Sequence, residues 1–85
     1  MKLDPDQMMA VVKRLKRAQG QIGGIVAMIE DGRDCEDIVT QIAAVGKAID
    51  RAGFTTVSVG LRQCVQDPNG TMDVAKMEKL FLSLA

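Results

Sequence analysis

The sequence predicts an all-α protein with a three-helix protomer. Apolar residues recur at three- and four-residue steps along most of the chain, and turn signals at 31–32 and 67–70 divide it into three segments. The chain has 85 residues, of which 47% are hydrophobic and 26% charged. This length suits one small domain, which buries a modest fraction of its surface and often gains stability from oligomerisation.

The first helix is predicted over residues 5–30. Asp4 is expected to be its N-cap, with Pro5 at the first helical position. The helix should end at Asp31 and Gly32, because glycine readily adopts the left-handed conformation that follows many helices. At about 100° per residue, the larger apolar side chains of this segment share one face. They are Met8, Val11, Leu15, Ile22, Ile25 and Ile29.

The second helix is predicted over residues 35–66, with Asp34 as its cap. Its apolar seam is expected to consist of Ile38, Ile42, Val45 and Ile49. The stretch 53–60 is rich in β-branched residues between glycines and is therefore also compatible with a strand. We favour an unbroken helix, because the helical period continues beyond this stretch and no partner strand is evident elsewhere.

The third helix is predicted over residues 72–84, with Thr71 as its cap. Its apolar stripe comprises Val74, Met77, Leu80, Phe81 and Leu84. A second helix much longer than its neighbours cannot bury its own apolar surface in so short a monomer. We therefore expect the first two helices to form a hairpin, and two hairpins to form an antiparallel four-helix-bundle dimer.

The two cysteines, Cys35 and Cys64, are 29 residues apart on the second helix. This spacing is close to eight full turns, so both thiols point to the same face, about 43 Å apart along the axis. They cannot form a disulfide within one straight helix, because bonded cysteines need Cα atoms within about 7 Å. If two such helices cross antiparallel near residues 49–50, Cys35 lies opposite Cys64 of the partner subunit.

Three chemical interpretations of the cysteines are open. They could be small buried hydrophobes, as free cysteines often are. They could bind Cu(I), the metal soft enough for two sulfurs alone, whereas zinc needs three or four ligands and the chain has no histidine. They could also form a reactive dithiol. In that case we expect Cys35 to react first, because a helix N-terminus stabilises a thiolate.

A basic cluster stands out in a chain whose formal net charge is zero. Lys13, Arg14, Lys16 and Arg17 lie in a segment without acidic residues, on the side of the first helix away from the apolar stripe or at its flank. The cluster is interpreted either as a surface for DNA phosphates or as a solvated face of a helical interaction module. The lack of histidine, of an acid/base pair and of a phosphate loop predicts that the protein is not an enzyme.

No apolar leader follows the first residues, and no apolar run approaches the roughly 20 residues of a membrane span. We therefore expect a cytoplasmic protein without membrane contact. In that compartment thiols are normally reduced.

The segment RLKRAQGQIGGIVAMIEDGRDCEDIVTQIAAVGKAI resembles the CsoR/RcnR family of bacterial transcriptional repressors. In that family an R-L-(K/R)-R-x-x-G-Q-(I/V) motif precedes a cysteine at a helix start. The resemblance implies a disc-like tetramer, built as a dimer of dimers, that binds double-stranded operator DNA and releases it when an inducer occupies an inter-subunit site. Together with the basic cluster, it gives as DNA-binding residues Lys13, Arg14, Lys16, Arg17, Gln21 and Arg51.

The cysteine pattern suggests a subtype. Copper sensors of the family carry Cys, His and Cys where this chain has Cys35, Gly60 and Cys64. Two cysteines without the histidine resemble CstR-type sensors of persulfides. That resemblance implies a repressor without a cofactor, in which persulfide inducers link Cys35 to Cys64 of the partner subunit through di- or polysulfides. A Cu(I)-responsive repressor that uses the same two thiolates is the alternative.

Overall fold

The computed structural model describes residues 2–66 and 74–84, with the backbone alone for Val74. Within these residues the chain forms three α-helices and no strand, which confirms the predicted all-α class. They are α1 (Met9–Glu30), α2 (Cys35–Gln66) and α3 (Val74–Ser83). The predicted turn at 67–70 and the predicted cap Thr71 lie outside the described residues. None of the described helices is long and apolar enough to cross a membrane.

The start of α1 differs from the prediction. The helix begins at Met9, and the preceding Met8 makes no side-chain cap. Asp4 instead organises a turn ahead of the helix: its carboxylate accepts the backbone N–H of Asp6 at 3.0 Å, and its carbonyl accepts that of Met8 at 3.2 Å. The local signal of Asp4 and Pro5 is therefore used, but for a turn that leads into α1.

The joint between α1 and α2 forms as predicted around Gly32. Gly32 has φ of 72°, the left-handed conformation that glycine adopts without steric cost. The N–H of Arg33 bonds the carbonyl of Met28 at 3.0 Å, and that of Gly32 bonds the carbonyl of Ile29 at 3.1 Å. These two bonds are those of a Schellman motif, which satisfies carbonyls at the helix end. The chain then reverses directly into α2.

The long helix α2 continues through the β-branched stretch 53–60 without a break. Thr56 donates its hydroxyl proton to the carbonyl of Ala52 at 2.8 Å, so its polar group is satisfied inside the helix. A continuous α2 is what fixes the relative position of the two cysteines.

The core of the α1–α2 hairpin follows a seven-residue spacing of alanine and β-branched side chains. At this spacing the buried positions are Val11, Ala18 and Ile25 on α1, and Val45, Ala52 and Val59 on α2; α2 also buries Gly60 and Cys64 towards its C-terminal end. Partly buried Ile38 packs against this line. The predicted stripes are therefore only partly right, because several of their larger members remain exposed. Those are Leu15, Ile22 and Ile29 on α1, and Ile42 and Ile49 on α2.

These exposed residues define a second apolar surface, which we call the apolar face. It comprises Val12, Leu15, Ile22, Val26 and Ile29 of α1, with Val39, Ile42 and Ile49 of α2. At about 100° per residue, these positions lie on one side of the line of core contacts in both helices. A folded hairpin that leaves so many large apolar side chains half exposed is typical of a protomer that associates through that surface.

The overall shape is elongated and thin. The Cα atoms span 55 × 25 × 13 Å, and their radius of gyration is 16.6 Å. A compact domain of this length has a radius of gyration of about 12 Å. The chain is thus a flat layer little more than one helix thick.

The third helix packs against the C-terminal half of α2. Phe54 and Phe81 have ring centroids 5.3 Å apart, at an interplanar angle of 58°. The side chain of Leu84 lies over Gly53, where a Cβ would meet Leu84 Cδ2 at 2.9 Å. The absence of a side chain at Gly53 therefore allows α3 to approach closely.

Candidate functional site

An open groove runs between α1 and α2 on the side of the layer opposite the apolar face. It has a volume of about 410 Å³. We call it the basic groove, and define it by Arg14, Arg17 and Gln21 of α1 with Ala44, Lys47, Ala48 and Arg51 of α2. On each helix these residues follow each other at steps of one, three or four, so they share one face. The small alanines form part of the wall between the cations.

The groove brings together four of the six residues predicted to bind DNA. Those four are Arg14, Arg17, Gln21 and Arg51. The other two, Lys13 and Lys16, are exposed on α1 but do not line the groove. Lys47 was missed by the sequence reasoning. Its position four residues before Arg51 was the available signal, because that spacing places both cations on one face of a helix.

The cations of the groove have no carboxylate partners among the residues that the structure describes. The ion pair seen there is Arg33 with Asp37, at 3.7 Å, at the start of α2. From Met9 to Ile29, α1 contains no acidic residue. Four positive charges therefore converge on one surface, although the formal net charge of the chain is zero. Such an arrangement attracts anions.

The two cysteines lie on the same side of α2 as the apolar face, at its opposite ends. Cys35 is exposed and Cys64 is buried, and no disulfide joins them. They are 29 positions apart on an unbroken helix, which places them about 43 Å apart along its axis within one chain. Within the protomer, the interpretation as a buried packing residue fits Cys64, whereas Cys35 is exposed.

The side of α2 that carries the cysteines has a regular pattern around the peptide bond between residues 49 and 50. Positions equidistant from this bond pair Cys35 with Cys64, Gly46 with Gly53, and Val39 with Gly60. In an antiparallel pair of α2 helices crossing at this point, the members of each pair would face one another. Gly46 has nothing within 4 Å of an added Cβ and leaves room for a partner helix near the crossing, whereas the space at Gly53 is filled by Leu84 of α3.

The end of α2 that carries Cys64 is tied to the N-terminal segment. The side-chain amide of Gln63 accepts the backbone N–H of Asp4 at 2.9 Å and donates to the carbonyl of Lys2 at 3.2 Å. Residues 2–4 are therefore held against the helix beside Cys64. These bonds help to keep this end of α2 covered.

The described residues contain no group of three or more His, Cys, Asp or Glu side chains that could hold a metal ion. The chain has no histidine. The described residues of one chain therefore do not supply the three or four ligands that a zinc site needs. Two thiolates from different chains would leave Cu(I) as the metal that suits them.

Comparison with known proteins gives a consistent picture. Residues 7–83 match the model of the family described as metal-sensitive transcriptional repressors. The copper-sensing transcriptional repressor RicR of Mycobacterium tuberculosis (strain ATCC 25618 / H37Rv) is 42% identical over 53 residues, which are 62% of this chain and 55% of RicR.

Two proteins of Bacillus subtilis (strain 168) are also similar. The copper-sensing transcriptional repressor CsoR is 39% identical over 57 residues, covering 67% of this chain and 56% of CsoR. The uncharacterized protein YrkD is 50% identical over 40 residues, covering 47% of this chain and 64% of YrkD. The chain thus spans about half the length of the copper-sensing relatives that it matches. No solved structure shows a significant match.

Proposed function

Because the chain belongs to the metal-sensitive transcriptional repressor family, we propose that it is a DNA-binding repressor whose inducer acts on the thiols of Cys35 and Cys64. One observation carries the proposal: a single helix, α2, contributes to the basic groove on one side and carries both cysteines on the other. The family is one of transcriptional repressors and not of enzymes, as the sequence predicted.

DNA binding is supported by the charge distribution. Arg14 and Arg17 of α1, with Arg51 of α2, present three guanidinium groups that suit phosphate oxygens. Lys13 and Lys16 extend the positive surface along α1. Each phosphate that these cations neutralise releases counterions, so the affinity for duplex DNA should fall steeply with salt. Repeating the surface in an oligomer multiplies these contacts while the whole protein stays near neutral.

The inducer site is proposed to form between two subunits. The apolar face is half exposed in the protomer, and burying it against a second copy in a four-helix bundle removes it from water. The antiparallel crossing of α2 at residues 49–50 then places Cys35 near Cys64 of the partner subunit. Two equivalent sites arise in each dimer, and two dimers would form the tetramer that the family resemblance implies.

We propose a persulfide as the inducer. The exposed Cys35 thiolate attacks the outer sulfur of a persulfide R–S–SH, becomes a persulfide itself and releases the thiol R–SH. Cys64 of the partner subunit then attacks the inner sulfur of Cys35–S–SH and releases H₂S. One disulfide forms, and the donor sulfur leaves in reduced form. If a second R–S–SH first transfers its outer sulfur to Cys35–S–SH and releases another R–SH, Cys64 of the partner subunit attacks the middle sulfur of Cys35–S–S–SH, H₂S leaves and a trisulfide forms.

Cu(I) is the second candidate, and the comparisons are the observation that favours it. RicR and CsoR, which are similar to this chain, are described as copper-sensing repressors. Two thiolates without a histidine would bind Cu(I) with sulfur ligands alone. The two candidates use the same residues and differ in the product, which is a covalent link in one case and a metal complex in the other.

Intact mass spectrometry of the reduced protein tests the proposal. The protein is treated with a persulfide donor, hydrogen peroxide or Cu(I), and each sample is then assayed for binding to the operator duplex. We expect the persulfide to add sulfur to Cys35 first, because Cys64 is buried, and then to give covalent dimers that release DNA. Release by Cu(I) without a covalent link would establish the copper alternative and refute persulfide sensing.

A mixing experiment tests whether the site lies between subunits. Cys35→Ala and Cys64→Ala variants should each bind DNA but fail to cross-link. A mixture of the two contains heterodimers with one intact pair of thiols, so it should recover part of the covalent dimer. A mixture that stays as inert as the separate variants would contradict the antiparallel arrangement.

A further inference from the structure

The basic groove contains one cation that neither the motif nor the resemblance marks, Lys47. We propose that the groove is a phosphate-binding site in which Lys47 is a direct ligand of the phosphate oxygens, together with Arg14 and Arg17 across the groove. This inference deepens the proposed DNA binding. It depends on that proposal in one respect only, namely that the DNA backbone supplies the phosphate.

The groove is a depression between two helices that remains about half open to solvent. Its volume of about 410 Å³ falls within the range of about 300 to 1,000 Å³ that is typical of small-molecule sites. Ala44 and Ala48 line it between the longer side chains. Because these two side chains are short, an anion can lie against α2 while the cations close over it from both helices.

The charges of the groove indicate that its ligand is an anion. Lys47 and Arg51 stand on α2 one turn apart, and Arg14 and Arg17 face them from α1. Among the described residues, no carboxylate pairs with these four cations. The described residues therefore do not compensate their mutual repulsion, and an anion that enters relieves it. A phosphate group offers several acceptor oxygens and suits both the forks of arginine and the point charge of lysine.

The first experiment uses the reduced, full-length protein without DNA and measures the binding of inorganic pyrophosphate by calorimetry. Lys47→Gln keeps a side chain of similar length but removes the charge, and should weaken binding about tenfold or more, since hydrogen bonds to charged groups are among the strong ones. Lys79→Gln, on exposed α3, makes the same chemical change outside the groove and should leave the affinity unchanged. Equal binding by all three proteins would overturn the proposal.

A second pair of variants introduces a carboxylate either on the wall of the groove or outside it. Ala44→Glu places a carboxylate among the cations and should abolish pyrophosphate binding, because it supplies the missing negative charge from within. Ala75→Glu makes the same change at an exposed position of α3, outside the groove, and should reduce binding far less. Ala44 and Ala75 are both exposed, so neither variant should unfold the chain. Identical losses in the two variants would show that net charge alone is responsible and would overturn the site.

Binding to duplex DNA identifies the source of the phosphate. If the DNA backbone supplies it, Lys47→Gln lowers the affinity for a mixed-sequence duplex and reduces the slope of log K against log salt by about one for each bound groove. Unchanged DNA binding, together with weaker pyrophosphate binding, would identify a free phosphate compound as the ligand of the same site. If the unmodified protein bound pyrophosphate but no DNA, the proposed repressor function would fail while the phosphate site remained.

Discussion

Replacement of Ile42 by alanine should weaken self-association of the chain by about 30- to 150-fold. Ile42 lies on the apolar face of α2 with 52% of its surface exposed in the protomer. Full burial of an isoleucine side chain, which is one of the larger aliphatic side chains, is worth about 2 to 3 kcal/mol, so burying the exposed half contributes roughly 1 to 1.5 kcal/mol. A two-fold dimer contains two copies, and about 2 to 3 kcal/mol corresponds to the stated change in the dissociation constant.

Sedimentation equilibrium of the reduced protein over a range of concentrations measures this constant. Leu61→Ala is the matched control, because Leu61 is 43% exposed on the same helix but lies outside the apolar face. We expect Leu61→Ala to leave the dimer intact, and both variants to keep their helical circular dichroism. Equal effects of the two substitutions, or no effect of Ile42→Ala, would refute the argument that this face is the dimer interface.

Further predictions concern three glycines and the turn that precedes α1. Gly32→Ala forces a side chain into a backbone with φ of 72° and should cost about 1 to 2 kcal/mol of stability. In calorimetry that is a fall in Tm of roughly 4 to 16 °C. Gly23→Ala, inside α1 and with nothing within 4 Å of the added Cβ, should instead raise stability by about 1 kcal/mol. If Gly23→Ala lost as much stability as Gly32→Ala, the argument from backbone conformation would be refuted. Gly53→Ala should be more favourable in a Leu84→Ala background than alone, because its Cβ meets Leu84 at 2.9 Å; a double-mutant cycle in urea should give a coupling of at least roughly 0.5 kcal/mol, and strict additivity would contradict the contact. Asp4→Ala removes the acceptor for the N–H of Asp6 and should lower the urea midpoint through a loss of about 1 kcal/mol. Asp4→Asn should not, because it keeps an acceptor for the turn, and equal losses would argue against that turn.

The helices and their joints could be predicted because their signals are local. A glycine after an acidic residue at the end of an apolar period marks a helix end, and Gly32 indeed adopts the left-handed conformation. The start of α1 was placed four residues too early, since Asp4 and Pro5 also form a good turn. That turn is held from a distance by the hydrogen bonds between residues 2–4 and Gln63, which no local pattern shows.

The sequence could not show which of two apolar stripes forms the core. Both stripes recur at helical spacing, and the prediction assigned the core to the stripe with the larger side chains. The structure buries a line that includes Ala18 and Ala52 and leaves Leu15 and Ile42 exposed. Small residues at the contact allow two helices to pack closely, and hydrophobicity alone does not reveal this. The larger side chains remain available for a second copy of the chain.

The candidate site could be predicted only in part, because its residues come from two helices that are distant in sequence. The basic cluster of α1 is visible as a local run, and Arg51 followed from the resemblance. Lys47 is 30 residues from Arg17 in the chain, and only the packing of α2 along α1 brings the two to one groove. Residues that meet across a hairpin have no fixed separation in sequence, so the composition of the groove had to come from the structure.

The layered shape suggests how an inducer would act on DNA binding. The apolar face and the basic groove lie on opposite sides of α2, separated by roughly the 10 to 12 Å diameter of one helix. Lys47 and Arg51 flank the proposed crossing point, whereas Cys35 and Cys64 lie at the two ends of the helix. In the proposed dimer, two links at the ends would fix the angle between the α2 helices and move α2 relative to α1. Because α1 supplies Arg14 and Arg17, such a shift changes the width of both grooves at once. A hundredfold loss of DNA affinity needs a difference of about 2.7 kcal/mol between the two arrangements, and the loss of one or two charge-assisted contacts in each groove accounts for that amount.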